Sequence, residues 1–161
     1  MIGILDPVAG QAEARDLARD LGGTLRWEAR RVRGWTVLSK ALDPVGQRRA
    51  HRCGVLDDVC LLQIARALSA DAVVYGEASI TRATRCSVFL GYFDRRRGRT
   101  TRSVVDTFPR VDADVDALRP RARRYLRVLA GQVTARDPGL GGGALGGGER
   151  RRLARAGHSP R

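Results

Sequence analysis

The sequence predicts an α/β fold: a mixed four- to five-stranded sheet packed with helices, ending in an antiparallel meander followed by a helix. Three stretches carry that prediction. In "DDVCLLQIARALSA", Leu61, Ile64, Ala65 and Leu68 recur at three- and four-residue steps, the stripe of a half-buried helix. The run passes straight into the β-rich "DAVVYGEAS", a strand from about Ala72. In "RCSVFLGYFD", Cys86, Val88, Leu90 and Tyr92 alternate with Ser87, Phe89, Gly91 and Phe93, so each set lines one face of a strand. The turn "DRRRGRT" and the segment "TRSVVDTF" then complete a hairpin between strands near 85–93 and 101–107.

The remaining elements follow in order. "IGIL" (Ile2 to Leu5) is a short apolar first strand closed by Asp6-Pro7. "QAEARDLARDL" carries Ala12, Leu17 and Leu21 among polar residues, an amphipathic helix expected to stop at Gly22-Gly23. Leu25, Ala29 and Val32 then define a second helical piece ending at Gly34, and "WTVLS" (Trp35 to Ser39) a second strand. A weak helix is expected near 44–51. The helix of residues 57–70 has Asp57 or Asp58 as its cap. The last helix begins after Asp112 and buries Leu118, Ala122, Tyr125, Leu126 and Leu129; Pro120 must kink it or sit in its first turn.

The 161 residues suffice for one domain with a real core, expected over 1–136. Residues 137–161 are expected to be a disordered Gly/Arg-rich tail or linker, because "DPGLGGGALGGGERRRLARAGHSPR" cannot form an apolar face. A glycine linker leading nowhere suggests either the front part of a longer protein or an artefact of where a reading frame was closed. No apolar run approaches the ~18 residues of a membrane span. The net charge of +13 raises nucleic-acid binding, since clustered cations displace counterions from phosphate. Against it, Lys40 is the single lysine among 30 basic residues, the skew of a GC-rich coding sequence, and the arginines are spread along the chain. Aromatic residues make up only 5%, too few for base-stacking platforms.

The element order and several phrases resemble the TolB amino-terminal-domain-like family, with its CsgG-type and LpoB-type relatives, α/β domains of the bacterial envelope. The resembling passages are "GWTVLS", "CLLQIARALSADAVVYGEA" and "VFLGYFDRRRGR", within roughly residues 1–131. The family's helix-to-strand passage is matched by Ile64-Ala65, Ala70-Asp71, Val73-Val74 and Gly76. Asp71 is expected to hydrogen-bond the turn backbone there. Family members carry a secretion leader, whereas here the first strand starts at Ile2.

In "HRCGVLDDVC", Cys53 and Cys60 have three readings: a disulfide, two free thiols, or two metal ligands beside His51. A bridge would close an eight-residue loop containing Gly54, worth about 2.5 kcal/mol in the chain-entropy model, and would require an oxidising compartment. The metal reading lacks a fourth ligand, because His158 falls in the tail and Cys86 alternates into a strand. The family resemblance favours the disulfide. Cys86 reads as a small core residue. Asp112, Asp114 and Asp116 read as helix-capping acids rather than a cation site, and Glu77 as an outward strand residue.

No catalytic, cofactor-binding or metal-ligating set is apparent in the sequence, and "GLGGGALGGG" follows no strand and lacks the lysine of a phosphate loop. The resemblance therefore implies a non-enzymatic protein-interaction domain of the bacterial envelope or periplasm, without cofactor, whose partner is another envelope protein. The strand near 101–107 is the candidate docking edge, with an edge blunted by Arg102 and Asp106 as its competitor. The alternative function is a cytoplasmic basic RNA- or DNA-binding module with an anticodon-binding-like fold, which would keep the cysteines reduced.

Overall fold

The computed structural model describes residues 1–133, so the end of the expected 1–136 domain and the expected 137–161 tail lie outside the described residues. Its sheet is built around one long strand. β1 (Ile2–Ile4) and β2 (Val8–Ala9) both lie parallel to β3 (Ala72–Thr81), at its two ends. On the other side β3 pairs antiparallel with β4 (Arg85–Asp94), which pairs antiparallel with β5 (Arg99–Pro109). The sheet order is β1-β3-β4-β5, with β2 beside β3. This is the expected mixed sheet with its antiparallel meander.

Four helices connect and cover it. A 3-10 turn at Ala12–Ala14 leads into α1 (Arg15–Ala29); α2 (Pro44–Ala50) and α3 (Asp58–Ala67) precede β3, and α4 (Val115–Leu129) follows β5. Asp43, Asp57 and Asp114 cap α2, α3 and α4 by accepting backbone N–H bonds from Val45 and Gly46, from Cys60 and from Ala117. Three helices end alike. In α2, α3 and α4 the residues after the last turn (Arg52, Ser69 and Gly131) have positive φ. Paired bonds return there to the helix, as from Ser69 and Ala70 to the carbonyls of Arg66 and Ala65. That geometry drops the chain from α3 into β3 within a few residues.

The expected sequence boundaries need four corrections. α1 runs unbroken through Gly22-Gly23 and stops at Ala29, so the two expected helical pieces are one. Gly22 is there for space rather than as a stop: a Cβ would fall 2.1 Å from Asp6 Oδ1. "WTVLS" forms no strand. Its backbone meets β1 in an isolated bridge between Val37 and Ile2, and a second bridge joins Leu42 to Leu5. Pro120 sits inside α4, past its first turn, so the expected first-turn placement does not hold. Asp71 does not bond its own turn; its carboxylate pairs with the Met1 amino group and with Arg95 at 3.3 Å.

The two faces of the sheet bury different cores. One face, lined by Ala72, Val74, Ala78, Cys86, Val88, Leu90, Val104 and Phe108, packs under α1 and α4 with Leu21, Leu25, Leu118, Tyr125 and Leu126. The other carries Val73 and Phe93, which pack with Leu5, Leu42, Leu61 and Ile64 beneath α3. Residues 85–93 therefore alternate as expected, with Phe93 facing away from Cys86, Val88 and Leu90.

Candidate partner-binding surface

α3 covers only one end of the second face. Beyond it the sheet shows Glu77 on β3, Phe89 on β4 and Val105 on β5, which are consecutive cross-strand partners. Phe89 is 36% exposed and Val105 70% exposed. Tyr75 packs edge-on to Phe89 with ring centroids 6.0 Å apart, and its hydroxyl meets Thr100 Oγ1 at 2.9 Å. The exposure of Val105, and of the part of Phe89 that Tyr75 leaves uncovered, is the feature of this sheet face that calls for an explanation.

β5 bounds this face and, among the described residues, pairs with β4 alone, so it is the open edge of the sheet. The opposite edge is occupied: Ile2 donates to Thr36, Leu38 donates to Ile2 and Asp6 donates to Leu42 along the backbone. Arg102 and Asp106 do not blunt β5 in the expected way. Asp106 is 3% exposed and points under α4, where it accepts from the Tyr125 hydroxyl at 2.6 Å and pairs with Arg121 at 3.3 Å and Arg124 at 3.6 Å. Arg102 stacks over Tyr92 at 4.9 Å and donates to the Leu129 carbonyl at the end of α4. The ladder between β4 and β5 is interrupted by a bulge between Tyr92 and Phe93, where Thr101 has no place in the strand register and its hydroxyl donates to the Tyr92 carbonyl at 3.5 Å.

A cleft of about 260 Å³ opens on the same face between the α2–α3 loop and strands β3 and β4. Val8, Val55, Leu56, Tyr75, Gly76 and Phe89 form its walls, with Arg48 and Glu77 also lining it. The Nε of Arg48 is closed off from solvent and has no hydrogen-bond partner among the described residues. Gly76 is required by close packing, because a Cβ there would lie 2.0 Å from the Phe89 carbonyl oxygen.

The loop forming one wall is tied by the cysteines. Cys53 is the third residue beyond α2 and Cys60 the third of α3, and the two are joined as a disulfide with Cα atoms 5.8 Å apart. His51 ends α2, and its carbonyl lies 3.6 Å from the Cys53 sulfur. Among the described residues no cluster of three or more His, Cys, Asp or Glu side chains is arranged for a metal. Cys86 is buried under α4's side of the sheet, and burial raises its thiol pKa. Asp114 caps α4, Asp116 sits in its first turn, and Asp112 pairs with Arg121 at 3.4 Å. Glu77 is exposed, as expected.

On the helical side, part of the positive charge is spent internally. Glu28 is buried between α1 and α4 and meets Arg123 at 2.7 Å, Arg31 at 3.1 Å and Arg119 at 3.7 Å. The hydrogen bond from Arg123 leads in holding its carboxyl below the ordinary range, against the opposing effect of burial. Tyr125 is pushed strongly upward by burial and by its bond to Asp106. Sequence reading passed over Glu28 and placed Asp106 outward on the edge, although a signal existed: Glu28 continues the Leu21–Leu25 helical stripe, and Asp106 alternates between Val104 and Phe108.

No protein-family model matches the chain. No curated protein matches it by sequence. Solved structures do. PelC from Paraburkholderia phytofirmans, described as a dodecamer, matches with a TM-score of 0.55 at 13% identity, over 80% of this chain and 86% of that one. The chain shares the PelC fold. Lower scores come from the LpoB C-terminal domain of Salmonella enterica (0.47; 17% identity; 66% of this chain, 81% of that one) and a lipoprotein of Neisseria meningitidis (0.46; 14%; 67% and 78%). The PelC likeness fixes the α/β architecture and does not single out the TolB-type family.

Proposed function

We propose that this chain is a non-enzymatic protein-interaction domain of the bacterial cell envelope, similar to TolB amino-terminal, CsgG-type and LpoB-type modules. Its working surface is the bare sheet face with the β5 edge. The observation that carries this reading is the unguarded edge: the nearby charged residues Arg102 and Asp106 are engaged with α4, leaving Val105 outward. A partner strand can extend the sheet there through backbone hydrogen bonds while apolar side chains take Phe89 and Val105. The PelC fold supports the reading because that protein assembles as a dodecamer. The Cys53–Cys60 bridge supports an oxidising compartment.

Two measurements test it. A photo-cross-linking residue at position 105, expressed in the native host, should give discrete protein adducts that the same residue at exposed position 15 on α1 does not. Equal or absent adducts at 105 would remove the surface from consideration. Intact mass after alkylation of the unreduced, denatured protein should show one adduct, at Cys86; three adducts would place the chain in a reducing compartment.

A further inference from the structure

The cleft beside Phe89 has a composition that a strand-docking edge does not require. Its walls are apolar, yet two opposite charges line it without pairing to each other: Arg48 and Glu77 make no ion pair among the described residues. Neither side chain has an ion-pair partner among the described residues, so a ligand that offers an acceptor to the Arg48 guanidinium and a donor to Glu77 satisfies both. At about 260 Å³ the space admits one side chain and the backbone around it rather than a whole element.

We infer that this cleft is a binding site for a carboxylate-bearing apolar segment of a partner polypeptide. Its apolar side chain enters between Val55, Leu56 and Phe89. Its carboxylate accepts from Arg48, and its amide N–H donates to Glu77. The net charge of +13 favours an acidic segment over a basic one. The disulfide supplies rigidity by fixing the loop that bears Val55 and Leu56, so the site is formed before the ligand arrives. The inference rests on the partner-binding reading of this face and specifies the chemistry of one of its pockets.

N-acetyl-leucine carries all three groups and is the probe. Titrated into the oxidised protein and followed by amide chemical shifts, it should perturb Val55, Leu56, Tyr75, Gly76 and Phe89 saturably. N-acetyl-leucinamide should bind about tenfold more weakly, the loss expected for one charge-assisted hydrogen bond. Arg48→Gln should abolish the difference between acid and amide; if that variant does not fold, Glu77→Gln should keep the difference while weakening both. Equal binding of acid and amide, or shifts that avoid the cleft, would overturn the inference. Cross-links from position 105 together with no N-acetyl-leucine binding would discard the pocket and leave the edge reading standing.

Discussion

On the α1–α4 side of the sheet the buried acids meet arginines: Glu28 is held by Arg123, Arg31 and Arg119, and Asp106 by Tyr125, Arg121 and Arg124. On the α3 side the sheet is covered at one end, by Leu61 and Ile64 over Val73 and Phe93, and bare at the other. Neighbouring residues of one strand show the contrast, since Asp106 is 3% exposed and Val105 70%. Folding needs the first face finished; it does not need the second. What remains open on the second is available for a partner.

The sharpest way to break the contrast is to mutate those two neighbours. Asp106→Ala strands the buried Tyr125 hydroxyl and removes the buried carboxylate that Arg121 and Arg124 face, so urea unfolding should show a loss of about 3 kcal/mol. Reduction of Cys53–Cys60, on the other side, should cost about 2.5 kcal/mol and chiefly loosen the α2–α3 loop, which amide exchange would reveal. Stability unchanged by reductant would show that the bridge constrains nothing.

The Glu28 network is tested by pH. Its carboxyl is depressed in the folded state, so its contribution is complete above the unfolded value near ~4.3 and is lost as pH falls through the lower folded value. The urea midpoints of the native protein and Glu28→Gln should therefore differ at neutral pH and converge in acid; a pH-independent gap would count against the ion network. A smaller effect separates the paired glycines of α1. Gly23→Ala meets nothing within 4 Å and should stabilise by about 0.5–1 kcal/mol, whereas Gly22→Ala should destabilise by displacing Asp6 from Arg26. Smallest of all, Val105→Thr should shift stability by less than about 0.5 kcal/mol.

Much of this architecture was legible from local pattern. The alternation of residues 85–93 and the stripe from Leu61 to Leu68 each identify an element and its buried face, because side-chain period follows backbone geometry. Where sequence reading failed, long-range packing decided. Gly22-Gly23 looks like a helix stop until Asp6 is seen to occupy the space that a Cβ would take. "WTVLS" has strand composition, but β1 offers it only three residues and a single bridge, from Ile2 to Val37. β2 is two residues long and exists only through its register with Glu77 and Ala78. The cleft was not legible, since Arg48, Val55 and Glu77 belong to different elements and no spacing links them. The edge at 101–107 was legible in part: its β-character is local, while the inward turn of Asp106 depends on Tyr125, which lies 19 residues further along the chain.

The burial of Cys86 bears on which cysteines can pair under oxidising conditions. Before folding, three thiols compete, and either Cys53 or Cys60 can be captured by the wrong partner. Once β4 is seated under α4, Cys86 is enclosed and its thiol is held protonated by burial, out of reach of exchange. In the finished domain Cys86 is thus withheld from exchange by the core, and the pairing left is that of Cys53 with Cys60.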